Sequence, residues 1–268
     1  MTALFSILYW IFFAITSIFL FMGALAIWAV TAPFDRTRKW LNFYTCWWAQ
    51  IYLRCLPGCR IQIEGREKIA PRTAYVLVAN HQSMTDVMAL SALRVLCKWV
   101  GKKEAFRIPV IGWNMYLNGT IKVDRGRILN VNRTMEICRR WLRAGVPLMI
   151  FPEGHRSPTG EMIKFHGGAF KLAAECGCPV VPIVVDGTWP IYSGWKVKAF
   201  PGLITVRVLD PVTLSEAGGS VLRFRDLVFE RMKETLAEIR ATKMPPPMSP
   251  PVPRTTQAVT QPHWTGQN

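Results

Sequence analysis

The first part of the chain is an unbroken apolar stretch followed by a segment with helical periodicity. Residues 3–30 are almost entirely apolar, long enough for a helix that crosses a bilayer core. From Trp40 to Cys55, apolar and aromatic residues recur at i, i+3, i+4, i+7 and i+8. This spacing predicts an amphipathic helix at the level of the lipid headgroups. Two alternatives stay open: the aromatic stripe packs on the domain core, or both segments form a re-entrant hairpin in one leaflet.

From residue 60 onward, short apolar runs alternate with helical periodicity, which is typical of an α/β domain. We therefore predict a single α/β domain with a mixed, largely parallel β-sheet flanked by helices. Strands are expected at residues 61–63, 74–79, 99–101, 120–123, 148–151, 180–185 and 204–209. Helices are expected at residues 85–96, 130–144, 168–176 and 221–240.

These patterns divide the chain into four segments. Residues 1–34 are predicted to be a hydrophobic membrane segment and residues 35–59 an amphipathic interfacial helix. The α/β domain is expected at residues 60–242, with its motifs between residues 75 and 185. Residues 243–268, of which seven are proline, are predicted to be a disordered tail.

The charge distribution indicates a membrane-attached protein with anionic partners. Against 33 Lys and Arg stand 17 Asp and Glu, a net charge of +16, yet residues 1–34 carry no charged side chain. Arg36, Arg38 and Lys39 follow the apolar stretch at once, so the positive-inside rule places the body in the cytoplasm. The seven cysteines include no Cys-x-x-Cys pair, which argues against a disulfide framework and a zinc site. We expect buried, reduced thiols and no metal.

The first candidate for chemistry is the segment from Asn80 to Asp86, directly after a predicted buried strand. Side chains just past the carboxyl end of a strand are where α/β sheets present reactive groups. His81 and Asp86 can meet only if His81 stays in the loop and Asp86 lies in the first helical turn. A Ser83-x-x-Asp86 capping box favours that break. His81 would then deprotonate a hydroxyl while Asp86 orients it; alternatively, Asp86 only caps the helix and His81 is an ordinary loop residue.

A second candidate follows the predicted strand at residues 148–151. Gly154 lets the backbone approach a ligand closely, and the planar Arg156 guanidinium suits a phosphate. Glu153 either holds Arg156 or binds a substrate hydroxyl. The alternative is a surface turn with a local ion pair. Because both candidates follow strands, we expect them at one edge of the sheet.

Between the two candidates, basic groups flank an apolar stretch. Lys102 precedes it and Arg125 follows it, an arrangement that suits a phosphate headgroup beside a lipid chain. A solvated basic loop is the alternative. Signatures of serine hydrolases, dinucleotide-binding proteins, P-loop nucleotidases and zincins have no match in this sequence.

Taken together, these blocks resemble the 1-acyl-sn-glycerol-3-phosphate acyltransferase family, also called the lysophosphatidic acid acyltransferases. The similarity covers roughly residues 60–210, where four blocks match in order. They are Asn80-His81-Gln82-Ser83 through Asp86; Lys102-x-Glu104 with Pro109, Gly112 and Asp124-Arg125; Phe151-Pro152-Glu153-Gly154 with Arg156-Ser157; and Val181-Pro182-Ile183.

The resemblance implies an acyltransferase that forms phosphatidic acid in phospholipid synthesis, with acyl-CoA or acyl-carrier protein as co-substrate. It implies His81 as general base, Asp86 as its orienting residue, and neither a metal, another cofactor nor an acyl-enzyme. The glycerol phosphate site would then be formed by Lys102, Arg125, Glu153, Gly154 and Arg156. Lysophosphatidic acid, an acyl thioester and the bilayer are the expected partners, acyl-carrier protein is a further candidate, and nucleic acid is not expected.

Two alternatives to this function stay open. His155 stands where the family usually has Thr, and related enzymes acylate glycerol 3-phosphate or other lysolipids through the same His-Asp pair. A non-enzymatic, membrane-tethered protein that binds nucleic acid or anionic lipid would also explain the net charge of +16. It would not explain the placement of His81 and Asp86.

Overall fold

The computed structural model of the protein describes residues 2–124, 128–193, 196–197 and 202–243. Its helices are α1 (Thr2–Thr31), α2 (Lys39–Arg54), α3 (Thr85–Ser91), α4 (Ile111–Leu117), α5 (Ile128–Arg143), α6 (Gly168–Cys176) and α7 (Val221–Lys243). Its strands are β1 (Cys59–Glu64), β2 (Val76–Ala79), β3 (Lys98–Lys102), β4 (Ile121–Val123), β5 (Leu148–Ile150), β6 (Val180–Asp186), β7 (Tyr192–Ser193), β8 (Lys196–Val197) and β9 (Gly202–Val208).

The main sheet has the strand order β1-β9-β6-β2-β5-β3-β4. β6, β2, β5, β3 and β4 run parallel, β9 is antiparallel to β6, and β1 is parallel to β9. β7 and β8 form a separate antiparallel pair. The predicted fold class, a mixed and largely parallel sheet with flanking helices, is confirmed.

Helices cover both faces of this sheet, which explains why its central strands are continuous apolar runs. Every residue of β2 and β6 is buried, as expected for strands covered on both sides. On one face, Phe170 of α6 and Phe224 of α7 belong to the same apolar cluster as Val76 of β2. On the other face, Leu53 of α2 and Leu90 of α3 pack against neighbouring sheet residues. The result is three layers, with the carboxyl ends of the five parallel strands at one edge.

Most predicted elements agree with the structure to within a few residues, and α6 matches its predicted range. Gly177, with φ 61°, ends α6 in the left-handed conformation expected for a glycine C-cap. α3 ends at Ser91 instead of residue 96, and the chain passes through a positive φ of 49° at Arg94. α4 was not predicted; it lies in the apolar stretch between the two candidate segments, for which no helix was expected. β7 and β8, two residues each, were also missed.

The tail prediction falls almost wholly on residues outside the described part of the chain. Lys243, its first residue, is the last residue of α7, and its ammonium lies 2.8 Å from the carboxylate of Asp186. Residues 244–268 are not described. The disordered tail therefore stays a prediction.

α1 and α2 pack against each other and against the domain. The Tyr52 hydroxyl lies 2.8 Å from the Ser17 hydroxyl, and the Tyr44 hydroxyl donates to the Leu20 carbonyl at 2.9 Å. The aromatic stripe of α2 is split between two surroundings. Trp48 and Tyr52 are buried towards α1, whereas Trp40 and Trp47 are 57% and 46% exposed.

A buried lysine joins the α1–α2 connection to the domain. Lys98, the first residue of β3, is 2% exposed and donates to the carbonyls of Thr37 (2.8 Å) and Asn118 (2.7 Å). Its ammonium also lies 4.9 Å from the ring centroid of Trp141. Burial lowers the pKa of Lys98 to about 8. These two hydrogen bonds fix the connection between α1 and α2 to the sheet.

Candidate active site

His81 and Asp86 meet at the carboxyl end of β2. His81 lies in the connection after Ala79, and Asp86 lies in the first turn of α3. The Nδ1–H of His81 donates to Oδ2 of Asp86 at 2.8 Å. This is the contact expected if His81 stays in the loop and Asp86 lies in the first turn of the helix. Because Nδ1 is engaged, Nε2 is the ring nitrogen that a substrate can reach.

Asp86 is fully buried and accepts four hydrogen bonds. Besides His81, Oδ2 accepts the backbone N–H groups of Gln82 (2.6 Å) and Ser83 (2.8 Å). Oδ1 accepts the hydroxyl of Thr188. Half of the predicted capping box therefore forms, since Asp86 reaches back to Ser83, while the Ser83 hydroxyl accepts the N–H of Thr85 at 3.3 Å. One carboxylate therefore holds both the imidazole and the backbone that precedes α3.

The His81 ring is also fixed from its face. Phe151, directly after β5, stacks on it with ring centroids 4.0 Å apart and planes inclined by 13°. The side chain of His81 remains 17% exposed. The imidazole therefore has a defined orientation and still reaches the surface.

Glu153 lies behind the loop that carries His81. It is 1% exposed, and its Oε1 accepts the backbone N–H of His81 at 2.9 Å, while Oε2 accepts the N–H of Ile163 at 3.4 Å. Within the described residues the carboxylate is thus paired with backbone, not with the Arg156 guanidinium. Burial raises the pKa of Glu153 to about 7, against the opposing effect of these hydrogen bonds.

A further backbone contact joins the two candidate segments, because the N–H of Ser157 donates to the carbonyl of His81 at 2.7 Å. Since β2 and β5 are adjacent parallel strands, both segments leave the sheet at the same edge. The expectation that they share one edge is therefore confirmed.

The remaining predicted binding residues lie around this edge at different degrees of exposure. Gly154 has φ 77°, a conformation that favours glycine, and is buried beside Glu153. Arg156 is exposed, as is Lys102 at the carboxyl end of β3, the strand next to β5. Arg125 lies outside the described residues. His81 contacts both Asp86 and Glu153, and the catalytic and binding roles of all these residues stay predictions.

Two residues that support the site were not predicted. Thr188 follows β6 by two positions. Its place just after a buried strand is the pattern that could have marked it as a site residue. Asn80 exchanges two hydrogen bonds with Val185 of β6: its Nδ2 donates to the carbonyl, and its Oδ1 accepts the N–H, both at 2.8 Å. These contacts fix the chain immediately before His81.

The thiols are dispersed through the chain and differ in exposure. The seven cysteines are free; Cys46, Cys97, Cys138 and Cys178 are buried, whereas Cys55 is exposed. Burial raises the pKa of Cys46 to about 11. Among the residues that the structure describes, no group of three or more His, Cys, Asp or Glu is placed to hold a metal ion. That the protein works without a metal stays a prediction.

Comparison with known proteins identifies the domain that carries this geometry. Residues 60–186 match the family model described as Acyltransferase. Over these residues the chain is similar to known acyltransferase domains, and we call the α/β domain that contains them the acyltransferase domain. The resemblance stated from the sequence blocks is thereby confirmed, and the His81–Asp86 pair lies inside the matched range.

Similar proteins carry the name expected from the resemblance. A 1-acyl-sn-glycerol-3-phosphate acyltransferase of Chlamydomonas reinhardtii is 35% identical over 202 residues, which cover 74% of this chain and 60% of the relative. That of Saccharomyces cerevisiae is 33% identical over 195 residues, covering 70% and 63%. This chain thus spans about three fifths of these relatives' length.

One solved structure resembles the acyltransferase domain together with the segment before it. The crystal structure of the 1-acyl-sn-glycerophosphate acyltransferase PlsC from Thermotoga maritima matches with a TM-score of 0.71 and 23% identity. The match covers 90% of this chain and 98% of that one. At this identity the likeness supports the fold alone.

Proposed function

We propose that this protein transfers a fatty acyl group from an acyl thioester to the free hydroxyl of 1-acyl-glycerol 3-phosphate, giving phosphatidic acid. The observation that carries the proposal is the hydrogen bond from His81 Nδ1 to a fully buried Asp86 inside an acyltransferase domain. The names of the relatives support lysophosphatidic acid as acceptor. Acyl-CoA and acyl-carrier protein are both candidate donors.

In the proposed reaction His81 is the general base. Its Nε2 removes the proton of the acceptor hydroxyl as the oxygen attacks the thioester carbonyl carbon. The tetrahedral oxyanion then collapses, the C–S bond breaks, and the imidazolium returns the proton to the leaving thiolate. Asp86 fixes the tautomer with Nδ1–H and stabilises the imidazolium, as the carboxylate does in Ser-His-Asp triads. The proposed reaction needs no acyl-enzyme intermediate and no metal.

The phosphate of the acceptor is proposed to lie beside the exposed basic groups of this edge. Arg156 can donate two parallel hydrogen bonds to phosphate oxygens, and Lys102 adds positive charge. Arg125, outside the described residues, is proposed as a further phosphate contact. Gly154 permits close approach of the backbone. Glu153 would act from behind, because its carboxylate holds the His81 loop.

Product analysis tests this function directly. The purified protein is incubated in detergent with lysophosphatidic acid and a mixture of acyl-CoAs, and the lipids are analysed by mass spectrometry. We expect phosphatidic acid from the parent protein and about 10²- to 10⁴-fold less from His81→Ala. If glycerol 3-phosphate or another lysolipid is acylated instead, the acceptor is wrong while the chemistry stands. If acyl-carrier protein also gives no product with any acceptor, the non-enzymatic binding protein replaces this proposal.

Membrane association is supported by α1. Within the described residues, the segment Ala3–Thr31 is long and apolar enough to cross a membrane, judged by length and composition. One side of α1, however, packs on the domain along much of the helix. The Ser6 hydroxyl accepts the N–H of Val197 at 3.0 Å, and the Phe21 ring centroid lies 5.7 Å from that of Trp113.

These two contacts span fifteen residues of α1, about 22 Å of helix. If α1 crossed a hydrocarbon core about 30 Å thick, the polar domain that packs along it would have to lie inside that core. We therefore propose that α1 and α2 lie in one leaflet, the re-entrant alternative, with the domain on the cytoplasmic side next to Arg36 and Lys39.

Thiol labelling in sealed membrane vesicles of known orientation tests this arrangement. Cys55 is exposed at the end of α2 and serves as the native reporter, with Cys55→Ser as its control. A second thiol is introduced in the Cys55→Ser protein as Ala3→Cys. Labelling of both positions by an impermeant reagent from the cytoplasmic side only is the expected result. Labelling of the two from opposite sides would mean that α1 crosses the bilayer.

A further inference from the structure

α4 presents an apolar surface that the sequence analysis did not predict. Ile108, Trp113 and Tyr116 are 43%, 52% and 57% exposed, and we call these three residues the α4 face. Trp113 and Tyr116 are three positions apart and therefore lie on the same side of the helix. A group of large exposed apolar side chains marks a surface that contacts something other than water.

This face is continuous with the helices already proposed to contact the membrane. Trp113 lies against Phe21 of α1, and the amide of Asn118 donates to the hydroxyl of Thr45 in α2 at 3.0 Å. Further exposed aromatic side chains on α2 are Trp40 and Trp47. α4 is therefore packed beside both helices, and its aromatic residues extend their apolar surface onto the acyltransferase domain.

The composition of the face fits a lipid–water interface better than a hydrocarbon core or a protein partner. Trp and Tyr are enriched at the level of the headgroups, where an apolar ring and a polar group are both accommodated. Arg107, directly before Ile108, is exposed, and so is Lys102. Positive charge beside an apolar surface complements an anionic leaflet.

The chain is folded tightly to present this face. Val110 has φ 65° and ψ −56°, and the N–H of Ile111 donates to the carbonyl of Pro109 at 2.6 Å, which is a γ-turn of the rare form with positive φ. A Cβ on Gly112 would lie 2.2 Å from the carbonyl oxygen of Phe106. The turn and the close approach bring α4 directly behind the end of β3.

The same connection fixes the distance from the α4 face to the catalytic edge. β3 ends at Lys102 and pairs with β5, after which Phe151 stacks on His81. Trp99 of β3 also lies 6.0 Å from Phe151 by ring centroids. The depth of α4 in a lipid surface therefore fixes the depth of His81, because β3, β5 and Phe151 connect the two rigidly.

We propose that the α4 face is a membrane-contacting surface of the acyltransferase domain itself, which rests at the headgroup level of an anionic bilayer and sets the height of the catalytic edge. The inference builds on the proposed function and on the in-plane arrangement of α1 and α2. α1 and α2 attach the protein, whereas the α4 face orients the domain so that the acceptor hydroxyl reaches His81 without leaving the lipid surface.

The test compares two ways of presenting the acceptor. The double variant Trp113→Glu with Tyr116→Glu is assayed with lysophosphatidic acid in anionic vesicles and in detergent micelles. We expect acyl transfer activity on vesicles to fall about tenfold, because the two glutamates no longer bury apolar surface in the lipid interface. In micelles, which adapt to the protein's shape, activity should stay within about twofold. Leu222→Glu is the matched control, because Leu222 is 63% exposed on α7, in the helix layer across the sheet from α4.

A second readout does not depend on activity. Fluorescence quenching by brominated lipids is measured for the parent and for Trp113→Phe, and the difference reports the contribution of Trp113. We expect this contribution to be quenched by bromine near the headgroup end of the acyl chain, and the difference for Trp141→Phe, on α5, to be unaffected.

Equal losses on vesicles and micelles, unchanged vesicle activity, or an unquenched Trp113 would each overturn the proposal. Loss of a dimer in the double variant with no change in quenching would assign the face to a second copy of the chain. Because quenching needs no turnover, an inactive parent would contradict the proposed function and leave this test intact.

Discussion

The hydroxyl of Thr188 donates to Oδ1 of Asp86 from a position 102 residues away in the sequence. The other oxygen of the same carboxylate accepts the Nδ1–H of His81. One buried carboxylate therefore joins the end of β6 to the loop after β2, and both of its oxygens are directed by donors before any substrate binds. Thr188 is a positioning residue on this basis, because it acts on the imidazole only through Asp86.

Removing the Thr188 hydroxyl is expected to reduce turnover without weakening acceptor binding. A hydrogen bond to a charged group contributes about 1.5–3 kcal/mol, and part of it holds Asp86 in register with His81. Thr188→Val should lower kcat about tenfold with KM for the acceptor nearly unchanged. Thr188→Ser, which keeps the hydroxyl, should recover most of the loss. If Ser and Val behave alike, the methyl packing matters and the hydrogen bond does not.

Replacing His81 should abolish most of the catalysis and leave the fold intact. Positioned general bases contribute about 10² to 10⁴ in rate, so His81→Ala is expected to lose activity within that range. The thermal melting profile should match that of the parent. His166→Ala is the control, since that histidine is exposed and its side chain has no part in the proposed reaction. Near-parental activity of His81→Ala would show that another group is the base.

The Arg156 guanidinium is expected to contribute to acceptor binding. A charge-assisted pair with phosphate contributes about 1.5–3 kcal/mol, which corresponds to about a 10- to 100-fold change in affinity. Arg156→Ala should therefore raise KM for lysophosphatidic acid in that range, with a smaller effect on kcat. Arg223→Ala, which removes an exposed arginine of α7, should change neither constant. An unchanged KM in Arg156→Ala would place the phosphate elsewhere.

Glu153 should make the stability of the fold depend on pH. Burial raises its pKa from 4.5 to about 7, so between these values the folded state binds more protons than the unfolded state. The free energy of unfolding should fall as the pH rises through this window, by about 3 kcal/mol at most, and the contribution should be constant above it. Glu153→Gln should remove this dependence, as measured by denaturant unfolding at several pH values.

The matched control for that experiment is Glu104→Gln, because Glu104 is exposed. It should keep the parental slope of stability against pH. A Glu153→Gln protein with the same slope as the parent would show that the carboxyl group has an ordinary pKa in the fold.

Local chemistry explains how much of the fold followed from sequence. Strands such as β2 and β6 are continuous apolar runs, and α6 ends at a glycine that can take a positive φ, so their limits follow from composition and spacing alone. α4 was missed because its seven residues are flanked by basic groups and its start depends on the unusual turn at Val110. No local pattern predicts a β-branched residue at φ 65°.

The sequence by itself determined the α/β class and the acyltransferase resemblance, and it reduced the pairing of His81 with Asp86 to one condition, a helix that starts between them. These depend on periodicity and on residues five positions apart, which a single strand-to-helix turn brings together. Only the tertiary structure decided that Glu153 lies under the His81 backbone, that Thr188 holds Asp86, and that α1 lies along the domain. Those contacts join segments 72 to 191 residues apart. Their geometry is set by the order of strands in the sheet and by the packing of helices on it, neither of which is encoded in any one stretch of the chain.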